Sequence, residues 1–425
     1  MDKTHILIVS VDYPPNPSIG SRRISAISRE LFSKGYIPHI VTANNPSLKF
    51  KKQLEIPEKF VHYVKWNDIH VLIKMLKTSV FTKYFAKLIG YFFPISSNTV
   101  PERRLSYWIN PAIEECLEII KKHNIKLIYS TYNPPASVRV AAAVKEKTGI
   151  PWINEYRDLW TGNPYLNISK KVQDLNWELE KALIANVDSL ITISEPLKSD
   201  LIKLHNKETY VIYNGIDNIN TSNTSIKENN NIINIVYTGI IYEGKREPLS
   251  LFQALKILKS KNLDLFKKFS INFYGANMNR ILGKTVDDMG LRDVINLHET
   301  ISHEEVIEVQ SKTDIFLLLG WNNKADEGVV TGKVFEYLSF KKPILALGYK
   351  GGAMDILLRE TNTGSVINDP IKICDYLILM VDIVKSENKL ARFKNKIEIA
   401  TFYRSNQVNS LISIFRQTID QNQSS

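Results

Sequence analysis

The sequence predicts an α/β protein made of two doubly wound, Rossmann-like domains that face an interdomain cleft. Three observations carry this. Short apolar runs alternate with amphipathic stretches, the alternation restarts after a polar segment near the middle, and 425 residues exceed what one ordinary core accommodates. Strand and helix in strict alternation imply parallel sheets, because a parallel crossover needs roughly the length of a helix to return to the same edge.

In the first half, residues 6–9, 38–42, 127–130, 152–154 and 189–193 read as short buried strands. Stretches 21–34, 111–123, 136–147 and 175–185 read as the helices between them. Residues 218–231, rich in Asn, Ser and Thr, interrupt the pattern. It resumes with strand 232–237, helix 248–259 and strands 270–274, 294–297, 314–319 and 343–346. The expected domains are therefore 1–215 and 216–400. A last helix within 401–425 is free to pack back on the first domain.

A hydrophobic fraction of 44% and a charged fraction of 23% are those of a folded globular chain without biased tracts. The first residues lead directly into a strand rather than into a charged region followed by a signal core, and no apolar run reaches the roughly 20 residues that span a bilayer. With two cysteines, Cys116 and Cys374, in different expected domains, neither a disulfide framework nor a zinc site is indicated. A reducing cytoplasm fits. No His-x-x-x-His pair or acidic triplet with ligand spacing occurs, and no metal is expected. Gly-x-Ser-x-Gly is absent, which disfavours a serine hydrolase, and no nucleic-acid recognition module is present.

The formal charge of +11 points to an anionic partner or surface. Segment 70–104 mixes Phe81, Tyr84, Phe85 and Leu88 with Lys74, Lys77, Lys83 and Lys87, a pattern that suits an anionic membrane surface or, equally, helices packed on the domain with lysines in solvent.

The chemistry concentrates in 327–338. There a glycine loop carrying Thr331 and Gly332 opens a helix whose N–H groups can receive phosphate oxygens. Lys333 adds a full charge, and Glu336 follows on the same helix face, where a carboxylate can accept hydrogen bonds from a ribose diol. A surface helix with an ordinary Lys/Glu pair gives the same pattern. The loop 12–23 follows the first strand and carries Gly20 and Arg23, but it lacks the three-glycine dinucleotide fingerprint, which disfavours a dehydrogenase.

Taken in order, these segments resemble a bacterial retaining glycosyltransferase of family 4, with the B-type two-domain fold (GT-B). The resemblance covers nearly the whole chain. It rests on Tyr13-Pro14-Pro15 with Gly20, on STYNPPAS from Ser130, WINEYRDLW from Trp152, ITISEPL from Ile191, Tyr213-Asn214-Gly215-Ile216-Asp217, Tyr237-Thr238-Gly239, and GKVFEYL from Gly332.

The resemblance implies that the first domain takes the acceptor and the second a nucleotide-diphosphate sugar. Glu336 corresponds to the glutamate that holds the donor ribose. Lys245 and Arg246, after Gly239, correspond to the basic pair that neutralises the diphosphate, although a solvated turn would look alike. Two departures stand out. Where many members carry a first glutamate this chain has Gly328, with Glu327 one residue away. Where many place a histidine near the reacting sugar it has Glu155-Tyr156-Arg157-Asp158. Arg157 and Asp158 are expected either to contact an acceptor phosphate and hydroxyl or to fix their own loop.

The implied activity is sugar transfer with retention, without cofactor or metal, to a lipid-linked or saccharide acceptor in bacterial surface polysaccharide synthesis. The implied location is the cytoplasmic face of the plasma membrane, as a peripheral protein. The rivals are a non-catalytic sugar-nucleotide-binding protein and an epimerase or phosphorylase on the same fold.

Overall fold

The computed structural model describes residues 3–16, 18–44, 53–66, 105–166, 168–217, 232–385 and 398–423. The basic-aromatic segment 70–104 and the polar segment 218–231 lie outside them. The chain divides into two compact units: unit 1 is Met1–Asn214 with Arg404–Ser425, and unit 2 is Gly215–Tyr403.

Unit 1 holds seven strands, β1 (Thr4–Val9), β2 (Tyr36–Ala43), β3 (Val61–Val64), β4 (Ile125–Tyr132), β5 (Trp152–Tyr156), β6 (Ser189–Thr192) and β7 (Thr209–Val211). They form one parallel sheet in the order β3-β2-β1-β4-β5-β6-β7. Because side chains alternate along a strand, each strand feeds two cores. Leu7, Val9 and Val41 pack with Trp108, Cys116 and Ile119 of the helix Ser106–Lys122 and with Val140 of the helix Pro135–Thr148. Ile6, Ile8 and Ile40 pack on the other side with Ile24, Ile27 and Leu31 of the helix Ile19–Ser33. Leu411 and Phe415 of the last helix, Arg404–Gln423, complete that second layer.

Two elements differ instructively from their sequence reading. The helix expected to open at Pro111 begins at Ser106, with the proline inside it. Trp108 and Ile109 are buried in the turn before it, and that packing outweighs the backbone bond the ring removes. The strand expected from residue 38 begins at Tyr36 and runs through Pro38. Its pairing with β3 starts only at Ile40, so the missing N–H falls where that edge has no neighbour.

Unit 2 holds β8 (Ile233–Thr238), β9 (Phe269–Tyr274), β10 (Ile295–His298), β11 (Ile315–Leu319), β12 (Ile344–Leu347) and β13 (Gly364–Val366), all parallel in the order β10-β9-β8-β11-β12-β13. Ile235, Phe273 and Leu317 pack against Phe252 and Leu255 of the helix Leu249–Lys261 and Leu377 of the helix Pro370–Lys385. Both units are thus doubly wound Rossmann-like domains.

In such sheets ligands bind beyond the carboxyl ends of the strands where the order reverses. Those places are the loops after β1 and β4 in unit 1 and after β8 and β11 in unit 2. Among the described residues no helix is long and apolar enough to cross a membrane.

Candidate functional site

In unit 2 the two switch-point loops meet. Gly239 ends β8 with φ +142°, a conformation that favours glycine, and a side chain there would collide with Lys333 at 1.8 Å from Nζ. Lys333 reaches back from the helix Gly332–Ser339, donates to the Tyr237 hydroxyl at 3.2 Å and stands 4.5 Å from the centre of that ring. Burial drives its pKa down to about 8; Glu336 opposes the shift and Arg246 adds to it. Lys333, Glu336 and Arg246 therefore share one electrostatic neighbourhood.

Arg246 lies over Tyr242 and pairs with Asp326 at 3.2 Å, joining the loop after β8 to the loop after β11. Asp326 is buried, and its other oxygen accepts the Trp321 amide at 2.9 Å. Lys245 stands over the Trp321 ring at 5.0 Å. Two basic side chains are thereby ordered on aromatic faces at the end of the sheet.

The start of the helix Gly332–Ser339 has the features of an anion cradle. Thr331 is its N-cap but makes no side-chain cap, and its buried hydroxyl has no hydrogen-bond partner. Gly332 is exposed, with nothing within 4 Å of where a Cβ would stand. A helix start with open space, an unengaged hydroxyl and a lysine on its first turn can receive phosphate oxygens. Behind it Tyr337 stacks on Phe316 and takes the Thr238 amide at 3.4 Å, fixing the helix to β8 and β11.

Glu336 is half-buried, three residues from Lys333 on this helix. Glu327 follows the turn Lys324–Asp326, and its carbonyl accepts the Ala353 amide at 2.7 Å, so its backbone caps the helix Ala353–Glu360. Of the residues the sequence singled out, Gly239, Lys245, Arg246, Thr331, Gly332, Lys333 and Glu336 are brought to one end of one sheet. Sequence reasoning missed Asp326 and Trp321, and it quoted Tyr237 only as part of Tyr237-Thr238-Gly239, without a role; the partners of Asp326 and Tyr237 lie 80 and 96 residues away. The only signal was the aromatic and acidic content of segments ending β8 and β11.

In unit 1 the loops after β1, β4 and β5 converge. Ser18 caps the helix Ile19–Ser33 by accepting the Ser21 amide at 3.0 Å and donates to Asp12 at 3.1 Å. The Ser137 hydroxyl accepts the Val11 amide at 3.0 Å, binding the β1 loop to the first turn of the helix Pro135–Thr148 that follows β4. Arg157, after β5, donates to the carbonyls of Tyr132 at 3.3 Å and Asn133 at 2.9 Å. Its guanidinium lies so close to Gly20 that a Cβ there would come within 2.7 Å of it. Gly20 is thus the platform on which Arg157 rests, and Asp158 next to it is exposed.

Arg23 is used differently from its neighbours. It is buried and paired with Glu155 at 2.7 Å, and its guanidinium also donates to Ile212 O, Tyr213 O and Asn214 Oδ1. All five N–H donors are engaged within unit 1, so the side chain bolts the first helix to β5 and to the residues after β7. Burial disfavours its charge, and Glu155 more than compensates, leaving its pKa raised; Glu155, pushed up by burial, is held low by Arg23.

The Gly239 geometry gives a direct test. Gly239→Ala is expected to push Lys333 off Tyr237 and to weaken anion binding by about tenfold or more, with the far-UV spectrum unchanged. Titration with a nucleoside diphosphate checks it.

Two parallel doubly wound units of this kind define the fold of the B-type glycosyltransferases. The family model for Glycosyltransferase Family 4 matches residues 20–218, which takes in most of unit 1. Solved structures with the same fold include a glycosyltransferase from Rickettsia africae, 15% identical, with a TM-score of 0.66 over 99% of both chains. Sucrose-phosphate synthase from Thermosynechococcus elongatus is 13% identical, with a TM-score of 0.62 over 99% of this chain and 100% of that one. Anabaena HepE in complex with UDP and glucose is 14% identical, with a TM-score of 0.61 over 97% and 100%. No curated protein matches the sequence.

Proposed function

We propose that the protein is a retaining glycosyltransferase that moves a sugar from a nucleoside-diphosphate donor to a lipid-linked or saccharide acceptor in the synthesis of a bacterial surface polysaccharide. The observation that carries the reading is the cradle at Thr331, Gly332 and Lys333, with Arg246 in the same electrostatic neighbourhood. It fits a diphosphate, and HepE, of the same fold, has been solved with UDP and glucose.

In this reading unit 2 holds the donor. Thr331 and the amides of Gly332 and Lys333 take phosphate oxygens, and Glu336 accepts hydrogen bonds from the ribose diol. Lys333, Arg246 and Lys245 stabilise the negative charge that grows on the diphosphate as the glycosidic bond breaks, which is where a preorganised cation lowers the barrier most. Glu327 reaches the donor sugar in place of the glutamate absent at Gly328. Unit 1 takes the acceptor, with Arg157 on a phosphate and Asp158 orienting the attacking hydroxyl, while Gly20 gives Arg157 its seat. Retention follows from attack on the face the diphosphate leaves, with the departing phosphate taking the acceptor proton. No side-chain nucleophile is assigned.

A charge of +11 and the lysines of 70–104 support working against an anionic membrane on its cytoplasmic face.

Thermal denaturation against a panel of nucleotide sugars tests the donor half. One donor is expected to raise the midpoint, with a gain in stability that grows with the logarithm of its concentration and reaches about 2.7 kcal/mol at 100 times its Kd. Glu336→Ala should remove most of that response. A panel without any response, or one that Glu336→Ala leaves intact, overturns the assignment.

A further inference from the structure

Histidines far apart in the sequence meet at the end of unit 1 opposite its reactive loops. His5 is the second residue of β1, His39 lies within β2, and His123 ends the helix Ser106–Lys122 just before β4. His5 Nδ1 and His39 Nε2 face each other at 2.9 Å. The ring of His123 is 5.2 Å from that of His5 and 4.4 Å from that of His39, and one nitrogen from each of the three lies within 4.8 Å of the other two. Histidine is an expensive way to fill such a place, since each ring brings two polar nitrogens that need partners.

Those partners are incomplete. His39 is 1% exposed, and its Nδ1 has no hydrogen-bond partner. A fourth histidine, His62 on β3, has its ring 5.8 Å from that of His39. Its Nδ1 meets Glu115 of the helix Ser106–Lys122 at 2.9 Å, and its buried Nε2 is without a partner. A carboxylate on one ring nitrogen is the arrangement that orients a metal-binding histidine and strengthens the other nitrogen as a ligand.

We propose that His5, His39 and His123 form a binding site for a divalent transition cation of the zinc class, with His62 or a water as the fourth ligand. Metal–nitrogen bonds of about 2.0–2.1 Å in a tetrahedral site place ligand nitrogens roughly 3.3 Å apart. To reach that spacing His5 Nδ1 and His39 Nε2, now 2.9 Å apart, part slightly, and the His123 nitrogen, within 4.8 Å of both, moves in. His5 and His123 are half-exposed, which permits the shifts and gives the ion a way in.

The ligands select the metal class. Imidazole suits zinc, nickel, copper and cobalt, whereas calcium and magnesium require oxygen. The carbonyl end of the helix Ser106–Lys122 favours a cation there, while Lys121 and Lys122 in its last turn oppose one, so coordination rather than charge must hold the ion. Bound, it would tie β1, β2 and the helix end together, a structural role separate from the donor chemistry of unit 2. No spaced motif announces the cluster, because the ligands come from three separate elements.

The test is titration of the chelator-treated full-length protein with zinc by calorimetry, with cobalt absorption as a second readout. One equivalent is expected to bind, to raise the thermal midpoint, and to give the visible cobalt bands of an imidazole site. His5→Gln and His123→Ala, at half-exposed positions that should tolerate change, are each expected to weaken binding by about tenfold or more. His303→Ala, on an exposed position of unit 2, should not. Absence of saturable one-to-one binding overturns the proposal, as does binding that both cluster variants leave unchanged, which would mark adventitious surface sites.

Discussion

Lys333→Met is expected to weaken donor binding strongly while leaving unit 2 as stable as before or more so. A pKa lowered from 10.5 to about 8 means that the charged ammonium is held at a cost of about 3 kcal/mol, chiefly from burial. Methionine keeps the stem packed on Tyr237 and removes the charge. The sign with pH follows from linkage. Between about pH 8 and 10.5 the unfolded chain holds a proton that the folded one has released, so wild-type stability rises with pH across that window. The stability advantage of the variant is therefore full below about pH 8 and fades above it. Donor affinity should fall by one to two orders of magnitude, since a charge-assisted contact to phosphate is lost. Chemical denaturation at pH 7 and pH 10, beside a nucleotide titration, reads both. An ordinary surface Lys/Glu pair would instead give little change in either.

Arg23→Met is expected to cost unit 1 about 3–5 kcal/mol, the largest stability effect of any single change considered, because it leaves Glu155 charged, buried and unpaired. The double variant Arg23→Met with Glu155→Leu should recover the charge-related part only. The carbonyls of Ile212 and Tyr213 would still lack their donor, and each costs about 1–3 kcal/mol when left unsatisfied. Denaturant unfolding followed by the fluorescence of Trp108 and Trp152, both fully buried in unit 1, measures the cycle. Arg23 and Arg157 thus part company. Both belong to the acceptor-side segments of the sequence, yet Arg23 is held on all sides, and Arg157 leans on Gly20 beside the exposed Asp158.

Much of the fold was legible because buried parallel strands leave continuous apolar runs, as in Ile315–Leu319 and Ile344–Leu347. The edge strands β3, β7 and β13 were not, although the edge strand β10 was. β3 reads Val-His-Tyr-Val and β13 Gly-Ser-Val, and neither is apolar enough to stand out before its neighbour is known. The site was legible where the chemistry sits in one local unit, as at Thr331, Gly332 and Lys333. It was illegible where it depends on a meeting of distant segments: Asp326 on Arg246, Trp321 under Lys245, and Arg23 on Glu155. Charge identifies a residue that can bind an anion, but only burial and partners decide whether it is presented or spent.

In the proposed function the cradle at the start of the helix Gly332–Ser339 holds a sugar nucleotide for transfer. The most direct measurement is release of nucleoside diphosphate from the donor that stabilises the protein, with the anomeric form of the freed sugar followed by NMR. Slow release is expected, lowered at least tenfold by Lys333→Met and by Glu336→Ala, with the sugar first appearing in the configuration of the donor. Tight donor binding without any turnover, whether toward water or toward lipid-phosphate and saccharide acceptors, would contradict it, and so would release that both variants leave untouched.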